Sequence, residues 1–171
     1  MLGILMSGCA TNLSKPMHDP LPSKAQFRGF SAVEMKPVSL TPAFASYDAN
    51  QKAMRKIDEL LFASMTKTFP NLKRTESFSG GNSKILQIAP VIKEIKFIGG
   101  AARFWAGAMA GSSAVLMQVK YLDGSTGATL ADPEFYEQAN AWAGAWTIGG
   151  TDNMMLERIV LDITSYTSAN Q

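Results

Sequence analysis

The stretch Val115-Leu116-Met117-Gln118-Val119-Lys120-Tyr121, then the turn Asp123-Gly124-Ser125-Thr126-Gly127, then Thr129 to Gln138, decides how this chain folds. Val115, Met117, Val119 and Tyr121 alternate with Leu116, Gln118 and Lys120, the period of two expected of a half-buried antiparallel strand. The glycines of the turn take positive φ angles, and Thr129 to Gln138 returns as the partner strand, with Pro133 marking an edge or a bulge. With the strand before it, Lys84 to Asn140 reads as three strands joined by a Gly/Ala-rich connection, Gly99 to Gly111, and by this turn.

Working outward, Ile85 to Ile98 is a long strand whose Pro90 lacks a backbone donor and so predicts an edge or a bulge there. In Gly99 to Gly111 only Arg103 is charged, and Gly107 and Gly111, like Ala106 and Ala110, recur at the four-residue spacing that lets one backbone approach another. This fits associating membrane helices and a short helix lying tight on a sheet equally well. The low-charge window Phe97 to Met117 has the length of a membrane span. Arg103, four glycines, two serines and the alternation from Ser113 onward argue against that use. Downstream, Trp142 and Trp146 stand among Ala and Gly. Asp152 is then expected to cap a final helix with Met155, Ile159, Ile163 and Tyr166 as its buried stripe.

Upstream, Phe30, Val33, Met35 and Val38 give a weak strand pattern bounded by Pro37 and Pro42. Asp48-Ala49-Asn50-Gln51 has the form of a capping box. Met54, Ile57, Leu61 and Met65 follow at helical spacing, with Lys52, Arg55, Lys56 and Glu59 on other faces, and Pro70 ends the helix. The methionines read as core packing. Leu72 to Phe78 is a short strand candidate, and Ser79 to Ser83 is a loop. That loop precedes Lys84 but lacks the second glycine directly before the lysine that a phosphate-binding loop requires, so nucleotide binding is rejected. The expected fold is a single α/β (α+β) domain over residues 26–171, with a mixed, largely antiparallel sheet and two main helices packed on one face.

The chain has 171 residues, of which 46% are hydrophobic, and a net charge of +2, ordinary values for one globular domain. Charge is uneven: Lys52 to Arg103 holds ten Lys/Arg against four Asp/Glu, and Phe104 onward holds two against seven. These read as solvated faces, although a basic middle also suits an anionic partner. The single cysteine, Cys9, excludes an internal disulfide. Residues 9–25 form a linker, because Ala10 to Lys24 carries Pro16, Pro20 and Pro22 among polar residues and buries too little to fold. His18, the only histidine, lies there without expected fixed neighbours and is a poor catalytic candidate.

Apolar Leu2 to Met6 followed by Met6-Ser7-Gly8-Cys9 resembles the lipobox of bacterial lipoproteins, where the chain is cut before a cysteine that is then lipidated. Residues 1–8 would be a shortened signal peptide, with no basic residue before Cys9 and only five apolar residues. The resemblance implies lipidation at Cys9. Ala10 in place of Asp implies sorting to the outer membrane, facing the periplasm.

Gly-Gly-Ala-Ala-Arg from Gly99, Ala-Gly-Ser-Ser-Ala-Val from Ala110, and Tyr-Leu-Asp-Gly-Ser-Thr-Gly-Ala-Thr-Leu-Ala from Tyr121 are similar to a family of small bacterial lipoproteins, domain-of-unknown-function family 4410. The likeness covers Ile85 to Ile163 and agrees independently with the lipobox. A more distant likeness, in α/β organisation only, is to periplasmic domains of envelope-assembly lipoproteins, and fold-level likeness carries no function. The family has no assigned activity, so no catalytic residue follows from it.

No nucleophile and base can be assembled from Cys9 and His18, nor a zinc site of the usual ligands, and no cofactor is expected. Asp132, Glu134 and Glu137 could offer an acidic pair for glycan hydrolysis. By alternation, however, Asp132 and Glu134 share with Tyr136 the strand face turned to water. No pattern for nucleic acid is present. Arg103, Phe104, Trp105, Trp142 and Trp146, beside glycines, form the candidate binding surface, suited to an acidic glycan or a lipid head group if Arg103 projects beside the rings. The expected protein is a lipid-anchored, non-enzymatic accessory or scaffold that binds another envelope component. The alternative is a hydrolase or carrier acting on cell-wall glycan or lipid.

Overall fold

The computed structural model describes residues 13, 15–80, 84–97, 112–139 and 150–171, with only the backbone of 150–152. In chain order the elements are a 3-10 turn at Phe27–Gly29, β1 (Ala32–Met35), β2 (Ser39–Leu40), a 3-10 turn at Pro42–Phe44, α1 (Asp48–Thr68), β3 (Leu72–Arg74), β4 (Ile85–Lys96), β5 (Ala114–Asp123), β6 (Thr129–Ala131), β7 (Glu134–Gln138) and α2 (Gly150–Ala169). Among the described residues seven strands form one mixed sheet in the order β3-β1-β4-β5-β6, with β2 also on β4 and β7 also on β5. Pairing is parallel among β3, β1, β2 and β4, and antiparallel from β4 through β5 to β6 and β7. The long β4–β5 ladder makes antiparallel pairing the larger share.

The alternation in β5 sets the core. Val115, Met117, Val119 and Tyr121 are fully buried, and across the ladders they meet Ile95, Ile92, Ile88 and Phe135 on the same face. Both helices cover that face. From α1 come Ala53, Ile57, Leu61 and Met65, and from α2 Met155, Ile159 and Ile163. Burying a side chain such as Leu61 contributes roughly 1.5–3 kcal/mol, so the two helical stripes supply much of the cohesion. Tyr121 stacks on Phe27 with ring centroids 4.7 Å apart.

Three local expectations are corrected. The α1 N-cap is Tyr47, not Asp48, and no side chain caps the helix. Gln51 and Asn50 instead donate backward to the carbonyls of Ala45 (2.8 Å) and Phe44 (3.0 Å), tying down the preceding 3-10 turn. The buried stripe therefore starts at Asn50 and Ala53, leaving Met54 half-buried. α2 begins at Gly150, two residues before the expected cap at Asp152.

The strand expected from Phe30, Val33, Met35 and Val38 is divided, and the division answers Pro90. β4 is an inner strand, not an edge. Ile88 and Ile92 accept from Lys36 and Thr41 of the β1–β2 side (3.0 and 3.1 Å), so the missing Pro90 donor faces the break between β1 and β2 at Pro37. The freed Val38 N–H is accepted by Asp58 Oδ1 of α1 at 2.9 Å. Pro133 similarly separates β6 from β7 while its carbonyl still accepts from Val119 at 3.0 Å.

The β5–β6 turn closes through Gly127 at φ +71°, a value that favours glycine. Gly124 has a different reason: a Cβ there would lie 2.9 Å from Gln87 Nε2 and 3.0 Å from the Ile85 carbonyl.

Candidate functional site

The three strand ends Lys96, Ala114 and Gln138 stand in one register row across β4, β5 and β7, and Ala139 N–H donates to the Ser113 carbonyl at 2.8 Å. The chain between β4 and β5 and the chain between β7 and α2 thus depart from neighbouring strands at one end of the sheet. Those connections carry Arg103, Phe104 and Trp105, and Trp142 and Trp146 respectively. These five residues, like Cys9, lie outside the described residues.

At the far edge of the sheet, a cleft of about 400 Å³ lies between β7, α2 and the segment Lys15 to Pro20. Here the structure corrects the expectation for His18, which lines the cleft with Asp19, Glu134, Glu137, Asp162 and Tyr166. The cause is a set of bonds that composition does not reveal. Tyr166 Oη donates to the Leu21 carbonyl (2.8 Å), Ser23 N–H to Asn170 Oδ1 (2.7 Å), Lys24 N–H to the Leu130 carbonyl (3.0 Å) and Phe27 N–H to the Asn170 carbonyl (2.8 Å). The proline-bearing segment is held as a strap along β6, β7 and α2.

The acidic residues of β7 divide as alternation requires. Glu134 and Tyr136 point away from the helices, whereas Glu137 turns with Phe135 toward α2. Asp132 stands outside β7 with Lys120 at 3.8 Å, so the three carboxylates considered from sequence do not converge. The close partner of Glu137 is Asp162 on α2, which sequence reasoning missed because only the helix rotation brings it there. Burial holds the Asp162 carboxyl above its ordinary range, reinforced by the charge and hydrogen bond of Glu137 and opposed by Arg158. Arg158 Nε donates to Glu137 Oε2 at 2.6 Å and Nη2 to the Gln138 carbonyl at 2.8 Å. Both Arg158 bonds reach β7 from α2, so the arrangement fastens these two elements together. No cluster of three His, Cys, Asp or Glu able to hold a metal occurs among the described residues.

A second cleft, of about 580 Å³, opens at the β1–β2 break between Pro37, Val38, Leu40, Met54, Pro90 and Val91. Its walls are mostly apolar. On the sheet face away from the helices, buried Glu34 accepts from Ser79 N–H (2.8 Å) and Ser79 Oγ, and Gln87 Nε2 donates to the Ser79 carbonyl (2.9 Å). That network fixes the start of the loop already rejected as a phosphate site.

No family model and no curated protein matches the sequence. Solved structures do share the fold. A Xanthomonas campestris protein of domain-of-unknown-function family 330 superposes with a TM-score of 0.56 at 12% identity, covering 89% of this chain and 90% of that one. The PelC dodecamer subunit from Paraburkholderia phytofirmans gives a TM-score of 0.49 at 13% identity, covering 83% and 94%. A Caulobacter crescentus protein provisionally described as a lipoprotein gives 0.31 at 10% identity, covering 80% and 92%. The first of these likenesses concerns the fold alone, and the other two are too low to carry an argument. No helix among the described residues is long and apolar enough to cross a membrane.

Proposed function

We propose that this chain is a lipoprotein of the family 4410 type, anchored through Cys9 in the bacterial outer membrane with its domain in the periplasm. It acts without chemistry of its own, as an accessory or scaffold that holds another envelope protein. The observation that most supports this is the shared row Lys96, Ala114 and Gln138, because both aromatic, glycine-rich connections set out from it. Large rings beside glycines, with Arg103 in the same connection as Trp105, are the residue types of a protein-binding hot spot. Glu137 is engaged by Arg158 and Asp132 stands with Lys120, which favours a structural use of these carboxylates over the hydrolase alternative.

The test is membrane fractionation and in-cell crosslinking of the wild type beside Cys9→Ser and the double variant Trp105→Ala/Trp142→Ala. Wild type in the membrane fraction with a discrete crosslinked partner is expected. Cys9→Ser should be released. The tryptophan double variant should lose the partner while keeping its urea midpoint. A double variant that unfolds would show these rings to be core, and the binding surface would have to be sought elsewhere.

A further inference from the structure

We propose that the outward ridge of α2 and the strap over the cleft form a membrane-facing surface that dips into the head groups of a zwitterionic bilayer. This rests on the Cys9 anchor of the preceding section. Among the described residues, five large apolar side chains are strongly exposed: Met17 (91%), Leu21 (80%), Leu161 (62%), Met154 (41%) and Tyr47. Four of them belong to this one side. Met154 and Leu161 are seven apart, hence on one ridge of α2 after two turns. The strap bearing Met17 and Leu21 lies against Asp162, Ser165 and Tyr166 of the same helix. Single exposed apolar residues mean little, but a cluster of them rimmed by polar groups marks an interaction surface.

Chain length selects the occupant. From Cys9 to Lys15, where the strap already lines the cleft, is six residues, which span at most about 20 Å even fully extended. An acylated Cys9 therefore holds this side of the domain near the lipid. β3, at the opposite edge of the sheet, is further away by several strand spacings of about 4.8 Å each. Charge selects the lipid. Lys15 and Arg158 stand beside Asp19, Glu134, Glu137 and Asp162, a balance that is repelled by a strongly anionic surface and tolerated by phosphatidylethanolamine. Apolar side chains over a polar rim, held at the interface by an acyl anchor, add a second contact to the first.

Cys9 is the only cysteine, so once it is acylated an introduced thiol takes a label uniquely. The experiment places an environment-sensitive fluorophore on Leu161→Cys, or on Lys73→Cys of exposed β3 as control. The acylated full chain is reconstituted in phosphatidylethanolamine vesicles with brominated acyl chains, after intact mass has verified the acyl groups. Quenching several-fold stronger at 161 than at 73, reduced by Met17→Asp or by adding phosphatidylglycerol, is expected. Equal, water-like signals at both sites in a chain whose acylation is verified overturn the surface while leaving the anchor standing. An unacylated Cys9 overturns the anchor and this surface with it. A blue-shifted label at 161 in Cys9→Ser protein without vesicles assigns the ridge to a second copy and also overturns the proposal.

Discussion

Tyr121 is fully buried, with its hydroxyl 2.6 Å from Thr167 Oγ1. Thr167 donates its single proton to the Ile163 carbonyl at 2.7 Å, so Tyr121 must be the donor of the pair. Thr167→Val strands that donor and should cost about 1–3 kcal/mol, whereas Tyr121→Phe removes it and should cost about 1 kcal/mol. Urea unfolding of both, and of the double variant, whose cost should fall short of the sum, checks the assignment. Burial pushes the Tyr121 hydroxyl far up. A pKa raised on folding stabilises fully below the unfolded value, about 10 for tyrosine, and the contribution is lost as pH climbs beyond it. The alkaline limb of a circular-dichroism pH titration should therefore move to higher pH in Tyr121→Phe. Asp162 is likewise raised, by burial first and then by Glu137, so its contribution is present at acid pH and lost as pH rises through the folded value. Asp162→Asn should raise the urea midpoint at pH 8 and leave it nearly unchanged at pH 4. The burial of Tyr121 was legible from strand alternation. Its Thr167 partner and the Asp162 pair were not, since both depend on the rotation of α2 against the sheet.

At the scale of elements, the β5 to β7 hairpin and both helical stripes were legible because each writes its own period into a local run of residues. The β1–β2 break was only half legible. Pro90 announced a missing donor, but whether the strand was an edge or an inner one depended on which neighbours paired with it. Asp58 fastens that break, accepting Val38 N–H with one oxygen and the Arg74 guanidinium with the other. Asp58→Ala leaves the Val38 N–H unpaired beside a buried side chain and should cost about 2 kcal/mol. Asp58→Asn keeps an acceptor for it and loses only the partly exposed ion pair, worth about 0–1 kcal/mol. Paired chemical denaturation curves distinguish the two contributions. The capping-box expectation failed because Asp48 already lies inside α1, and the Gln51 amide donates to the Ala45 carbonyl behind the helix.

For the whole molecule, the two-layer α+β architecture followed from patterns, while the placement of its first described residues did not. A proline-bearing polar segment has the composition of a free linker, yet Leu21, Ser23, Lys24 and Phe27 bond to α2 and β6 across more than a hundred positions of sequence. Backbone groups carry those bonds, and backbone groups leave no compositional signature. The same placement brings the strap and α2 together on one side of the domain, while the two aromatic connections depart from the sheet end at Lys96, Ala114 and Gln138. The proposed division of labour, lipid on the one side and a partner on the other, depends on Cys9 carrying lipid. The deciding measurement is the intact mass of the protein made in a bacterial host from its native upstream region, beside Cys9→Ser. The account predicts a chain beginning at Cys9 with added acyl mass, absent from the variant. An unmodified wild-type chain in the soluble fraction would contradict it.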